Sequence, residues 1–236
     1  MIPQTPRHDF LHELHKLLRP ATYLEIGVQT GRSLAQAIPP TFAIGVDPEP
    51  QISVPISVSH QILPMTSDVF FERTALAAGH EILGLSPVDL AFIDGMHLVE
   101  YALRDFINVE RLARPDGRTV VVFDDVLPYS ADIAGREPLA GDWAGDVWKT
   151  IQILERHRPD LDLILVNVAP TGALVVLGLD PTSTVLADRF EEITTFYAKD
   201  FASVTTADGI AAEHRFSIGP ADALHEIRYH LNITEA

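Results

Sequence analysis

The stretch Tyr23-Leu-Glu-Ile-Gly-Val-Gln-Thr-Gly31, continued by Arg32 and Ser33, decides how the chain folds. It reads as a buried strand carrying Leu24, Ile26 and Val28, then a glycine turn, then the start of a helix. Gly27 and Gly31 permit the turn and let a ligand approach the backbone closely. Thr30 and Ser33 bring hydroxyls and free N–H groups to the opening of a helix expected through Leu34 and Ala37. The next apolar run, residues 42–46, ends on Asp47, sixteen residues past Gly31. An acid there is in the place that binds a ribose. Strand, glycine turn, helix, strand and acid make the first βαβ unit of a nucleotide-binding sheet.

Gln29 stands where the dinucleotide fingerprint G-x-G-x-x-G has its second glycine, which argues against a diphosphate pressed onto the turn. Glu25 points the same way, because an acid at the strand's end suits an ammonium group and opposes a phosphate. The plain alternative is a Gly-rich turn of an ordinary α/β protein. The pattern E-x-G-x-x-x-G, with an acid closing the next strand, resembles the class I S-adenosylmethionine (SAM)-dependent methyltransferases. That resemblance implies SAM as cofactor, with Glu25, Gly27, Thr30, Gly31, Ser33, Asp47, Ser67 and Asp68 in the cofactor positions. Ser67-Asp68 follows the third strand, where this fold often contacts the adenine amino group. Asp68 reads equally well as a helix cap.

The chain has 236 residues, 47% of them hydrophobic, enough for one α/β domain with additions. Its formal net charge of -16 argues against nucleic acid and against an anionic membrane surface. There is no cysteine, so disulfides, thiolate metal sites and a Cys nucleophile are excluded. No apolar run is long enough to cross a bilayer and no signal-peptide pattern opens the sequence, so a cytoplasmic protein is expected.

Phe10, Leu11, Leu14, Leu17 and Leu18 share one face of a helix that Pro20 ends. His8, His12 and His15 are read as solvated on its other side. Strands are expected near 56–62 (the weakest signal), 88–93 and 119–123, with helices after residue 68, to about 79, and after residue 97. The second of these has Leu98, Ala102, Leu103, Phe106, Val109 and Leu112 at helical period. Residues 127–146 lack periodicity, and a loop this long within a compact domain is functional or disordered. Asp146 is expected to cap a helix from Val147 to about His157, and residues 161–168 and 173–179 to form a hairpin. Helices follow near 183–198 and 220–230. The expected fold is α/β: a Rossmann-like, mostly parallel seven-stranded sheet with an antiparallel edge hairpin and helices on both faces. Its parts are an N-terminal helix (1–20), a SAM-binding domain (21–180) and a helical extension (181–236).

Four strand ends carry acids: Glu25, Asp47, Asp94 and the pair Asp124-Asp125. Ligands of open α/β sheets bind outside the carboxyl ends of the strands. With the fourth and fifth strands adjacent, Asp94, Asp124 and Asp125 converge, and three carboxylates without a counter-charge raise one another's pKa. A hard divalent cation, Mg²⁺ or Mn²⁺, resolves the conflict. The alternative is that some of these acids cap helices or pair with Arg104 or Lys149. His97 lies three residues past Asp94, as a base, a metal ligand, a residue orienting Asp94, or a half-buried structural histidine. Trp143 and Trp148 flank the loop; Trp143 is placed to stack on a sugar or close a lid, and Trp148 reads as core. Asp142 and Asp146 are further acids in reach of an acceptor.

Phe92-Ile-Asp-Gly-Met-His97, followed at a distance by Phe123-Asp-Asp125, resembles metal-dependent sugar and antibiotic O-methyltransferases of the macrocin O-methyltransferase kind, with bacterial polysaccharide O-methyltransferases nearby. The resemblance implies Asp94, Asp124 and Asp125 as metal ligands; His97, from its place three residues past Asp94, and Asp94 itself are the candidate catalytic residues. Met96 stands where that kind often has a second acid, which leaves His97 as the nearest base. The expected activity is methyl transfer to a hydroxyl of a sugar, oligosaccharide or polysaccharide. Phenolic or natural-product hydroxyls are the alternative acceptors, and an NAD-dependent oxidoreductase or a non-catalytic binding protein are rivals on the same sheet. A homodimer through the terminal helices is one arrangement the chain allows.

Overall fold

The computed structural model describes residues 5–76, 87–141, 143–199, 209, 213 and 215–234. Helix α1 (Arg7–Leu18) leads into strand β1 (Thr22–Ile26), the apolar part of the opening stretch. Next come β2 (Phe42–Asp47), β3 (Ser59–Pro64), α2 (Ser67–Leu76), β4 (Leu90–Ile93), α3 (Val99–Arg111) and β5 (Val120–Asp124). The chain continues through α4 (Lys149–His157), β6 (Asp162–Val166), β7 (Ala173–Leu177), α5 (Val185–Asp188), α6 (Phe190–Tyr197) and α7 (Pro220–His230). The expected end of α2, near residue 79, lies outside the described residues.

All seven strands join one sheet in the order β3-β2-β1-β4-β5-β7-β6. The five strands from β1 to β5 run parallel, and β7 is antiparallel to both β5 and β6, so the hairpin closes one end as expected. Residues of β1, β4, β5 and β7 are buried throughout, which is why these strands read as continuous apolar runs rather than alternations. Edge strand β3 is largely exposed and correspondingly weak in the sequence.

Alternate residues of each strand feed two cores. Leu24, Ile26, Ala91, Ile93, Val121 and Phe123 pack with residues of α2, α3, α4 and α6. Tyr23, Leu90, Phe92, Val120 and Val122 pack with α1 and α7. Helix α3 buries Ala102, Leu103, Phe106 and Val109 as its period predicts; each large apolar side chain there contributes about 1.5–3 kcal/mol. Helix α7 packs on α1 and β6, so the C-terminal extension returns to the N-terminal helix.

Three expectations change. The helix foreseen through Leu34 and Ala37 is a single 3₁₀ turn, Leu34–Gln36, because Pro39 and Pro40 follow and cannot continue a helix. His15 is fully buried, not solvated: it sits four residues after Leu11 on the face that α1 turns to the sheet. The described part of residues 127–146 contains a 3₁₀ turn, Asp132–Ala134, and the following helix begins at Lys149 rather than Val147. Trp148 is core, as read. Among the described residues no helix is long and apolar enough to cross a membrane.

Candidate active site

The glycine turn is set by backbone contacts. Gly27 has φ 85°, and a Cβ there would lie 1.8 Å from the carbonyl oxygen of Asp94, so only glycine lets β1 and the end of β4 approach this closely. The Gly27 N–H donates to the Val46 carbonyl at 2.9 Å. Asp47, at the end of β2, accepts from the Val28 and Gln29 N–H groups at 2.9 and 2.7 Å with Oδ2, and from Glu49 at 2.7 Å with Oδ1. The acid expected to bind a ribose therefore also pins the turn. Residues 51–53 strap over it, with the Gln51 and Ser53 N–H groups donating to the Gln29 and Thr30 carbonyls. Gly31, at φ 80°, Thr30 and the buried Ser33 complete the turn.

Glu25 is fully buried on the α1 side of the sheet. Its Oε2 accepts the Tyr23 hydroxyl at 2.6 Å, and its Oε1 has no hydrogen-bond partner. Burial pushes this carboxyl well above the usual range against the pull of the Tyr23 bond, and the Asp94 charge adds to the rise. A buried, half-satisfied carboxyl invites a cationic donor.

Ser67 and Asp68 open α2. Asp68 is held by Arg104, whose Nη2 donates to Oδ2 at 2.8 Å. The Ser67 hydroxyl bonds Asp105, a buried acid on α3 that the sequence reading passed over. Burial pushes Asp105 up to about 7, against the Ser67 bond. Its position within the apolar stripe of α3 was the available signal.

β4 and β5 are neighbours, with Ile93 beside Phe123, so Asp94 and Asp124 leave adjacent strands. The His97 Nδ1–H donates to the Trp143 carbonyl at 2.6 Å, which leaves Nε2 facing Asp94 Oδ1 at 3.4 Å and Asp125 Oδ2 at 3.2 Å. Burial pulls the imidazole down, but the Asp94 bond and the charges of Asp125 and Asp94 outweigh it and push it up to about 9. Asp125 has φ 60°, a backbone state rare outside glycine and asparagine, and Thr171 donates to its Oδ1 at 2.5 Å. Thr171, in the turn between β6 and β7, was not foreseen as part of the site.

Arg7 was not foreseen either. Its guanidinium bonds Asp124 Oδ2 and lies 3.5 Å from Asp94 Oδ2. The carboxylates thus have a counter-charge from α1; Arg104 and Lys149, the partners considered from sequence, serve Asp68 and Asp146 instead. Asp124 keeps Oδ1 buried and unpartnered. Candidate ligand atoms of Asp94, His97 and Asp125 lie within 4.8 Å of one another. Asp124, expected with them, is taken by Arg7 and stands outside that group, and the carboxylate and imidazole donors that remain fit Mg²⁺ or Mn²⁺.

The long loop docks over this centre. Trp143 stacks on His97, ring centroids 5.4 Å apart, and its Nε1–H donates to the Gly135 carbonyl, so it forms a wall of the site. A Cβ on Gly145 would lie 1.7 Å from the His97 carbonyl oxygen. Asp146 accepts from the Val99 N–H, capping α3 from a distance, and pairs with Arg136 and Lys149. It is therefore committed to structure, and Asp142 lies outside the described residues.

Residues 24–126 match the family described as "Methyltransferase domain". No curated protein matches the sequence. Solved structures of similar fold include an O-methyltransferase from Bacillus cereus in complex with SAH, at 14% identity and TM-score 0.52 over 73% of this chain and 80% of that one. A cofactor-bound protein from MTB aligns at 24% identity and TM-score 0.53 over 74% and 80% of the two chains. The O-methyltransferase TomG from Streptomyces achromogenes, involved in tomaymycin synthesis and in complex with SAM, aligns at 18% and 0.52 over 74% and 79%. At these identities the likeness is one of fold. Family match and fold coincide on the strands β1 to β5: residues 24–126 match a methyltransferase domain and carry the parallel, Rossmann-like part of the sheet.

Proposed function

We propose that the protein is a SAM-dependent O-methyltransferase, assisted by Mg²⁺ or Mn²⁺, acting on a hydroxyl of a sugar, oligosaccharide or polysaccharide. One juxtaposition carries this reading: a buried carboxyl with an unpartnered oxygen, Glu25, feels the charge of Asp94, which together with Asp125 flanks the His97 imidazole. Glu25 Oε1 suits the ammonium of the cofactor's methionine part. Asp47 suits the ribose, and Thr30, Gly31 and Ser33 line the turn between them. Ser67 and Asp68, at the third strand's end, take the adenine side.

A methyl carbon on a sulfonium is already activated, so the protein's task is alignment and proton removal. His97 Nε2 is the atom that receives the hydroxyl's proton, and Asp94 and Asp125 stabilise the imidazolium formed. In the charge state described above, His97 already holds that proton at neutral pH. A divalent cation held by Asp94 and Asp125 with Asp124 would supply the offsetting charge and lower the pKa of the hydroxyl, leaving His97 Nε2 free to take the proton. The net charge of -16 favours a neutral acceptor over a phosphorylated one.

A second reading, a phenolic acceptor, draws on one observation: Met96, beside His97, is 52% exposed and offers an apolar rim. Release of S-adenosylhomocysteine (SAH) from SAM, measured with Mg²⁺ across saccharides and phenols, separates the two. Turnover with a saccharide is expected, lost in Asp125→Asn with SAH affinity nearly intact, since asparagine tolerates the same backbone state. Turnover confined to phenols would replace the sugar reading, and full activity of Asp125→Asn would remove that acid from the site.

A further inference from the structure

Arg7 reaches the carboxylate cluster by design of the backbone. Its N–H donates to the Ala169 carbonyl at 3.0 Å, and the Ala169 N–H donates to the Thr5 carbonyl at 2.8 Å. Pro6 forms a bridge with Ala169 between them. The N-terminal segment is thereby laced to the turn joining β6 and β7, the same turn whose Thr171 holds Asp125. The Arg7 side chain is 24% exposed and is aimed inward from this anchor, not spread on the surface.

The guanidinium occupies a specific part of the cluster. It takes Asp124 Oδ2 and faces Asp94 Oδ2. Asp94 Oδ1, His97 Nε2 and Asp125 Oδ2 remain on the other side, and Asp124 Oδ1 stays buried without a partner. A guanidinium cannot shed its charge in a protein, so this neutralisation is permanent while Arg7 stays in place. Without it, the carboxylates would be buried with no fixed cation, a state that protonation or a metal must relieve.

We infer that Arg7 and a divalent cation compete for this cluster, Arg7 acting as a built-in counter-cation that Mg²⁺ or Mn²⁺ must overcome at Asp94 and displace from Asp124. The inference rests on the metal part of the reading above. With Arg7 in place, a cation has only Asp94, His97 and Asp125 to bind; with Arg7 withdrawn, Asp124 joins them. The device keeps the metal-free site folded and makes metal affinity depend on the N-terminal segment.

The test is Mn²⁺ titration of the full chain, following free Mn²⁺ by electron paramagnetic resonance, with thermal melts in the same buffers. Removing one positive charge from beside a doubly charged ion raises affinity by at least about tenfold, even at the effective dielectric of a protein surface. Arg7→Met is therefore expected to bind one Mn²⁺ more tightly than the natural chain by that factor. Arg7→Gln, which keeps a hydrogen-bond donor without the charge, repeats the comparison should Arg7→Met fold poorly. Arg7→Lys keeps the charge and stays near the natural affinity, and Asp125→Asn in the Arg7→Met background loses the gain. The metal-free neutral variants also melt lower, and Mn²⁺ restores them by mass action. Unchanged or weaker binding in the neutral variants, with the natural chain still binding, overturns the competition and leaves the metal site standing. No binding in any variant removes the metal site, and the inference with it.

Discussion

Tyr23 and Glu25 are the smallest unit on which the account depends. Two residues apart on a strand, they face the same side, and the phenol occupies one carboxyl oxygen so that the other is left over. Hydrogen bonds to charged groups are worth about 1.5–3 kcal/mol, so Tyr23→Phe should weaken SAH binding by roughly tenfold or more. It should leave 5′-methylthioadenosine, which lacks the amino-acid part, unaffected. Calorimetry with both ligands checks this; equal losses for the two would make Tyr23 merely structural. This pair was half legible. The carboxylate on an apolar strand stood out, but nothing in the spacing showed which oxygen the tyrosine would take.

At the scale of elements, the strand ends were readable and the pieces that meet them were not. Asp47, Asp94 and Asp124 each close an apolar run, and parallel strands deliver their ends to one edge of the sheet. Arg7 lies 117 residues from Asp124, and Thr171 lies 46 from Asp125. No local period links such residues; only the return of the β6–β7 hairpin beside β5 brings them in. The loop between β5 and α4 was legible as long, with function and disorder both left open. Its order comes from charges buried together: Lys149 Nζ donates to Asp146 Oδ2, to the Tyr197 carbonyl and to the Lys199 carbonyl at 2.8, 2.8 and 2.6 Å. Lys149 thereby ties the loop to the end of α6. Removing one partner of a buried pair costs about 3–5 kcal/mol, so Lys149→Met should lower the denaturant midpoint accordingly. An unchanged midpoint would mean that the loop is held by Arg136 and its partners alone.

For the whole molecule, α1 and α7 close the face of the sheet that carries Glu25, and His15 is sealed beneath them against Tyr23 at 4.6 Å. The helical period of α1 was read correctly for Phe10, Leu11 and Leu14, but Leu17 and Leu18 are only partly buried, His15 joins the buried stripe, and α7 packs against the helix. That contact between chain ends could not be read from either helix alone. Burial, with a smaller contribution from His12, lowers His15 to about 4 from 6.5. Between those values the unfolded chain binds a proton that the folded one refuses, so stability rises with pH across the window and is lost as pH falls through it. The full difference is about 3 kcal/mol. His15→Leu should flatten that part of the stability–pH curve, measured by urea unfolding from pH 4 to 7. A variant curve parallel to that of the natural chain would show that His15 does not contribute.

The central claim is that the turn from Glu25 to Gly31, closed by Asp47, holds SAM. Calorimetric titration of the full chain with SAH in the presence of Mg²⁺ tests it most directly. One-to-one binding, weakened by Asp47→Asn and by Glu25→Gln, is the predicted result. No heat and no binding at millimolar SAH would contradict it, and the catalytic reading of His97 and its carboxylates would fall with it.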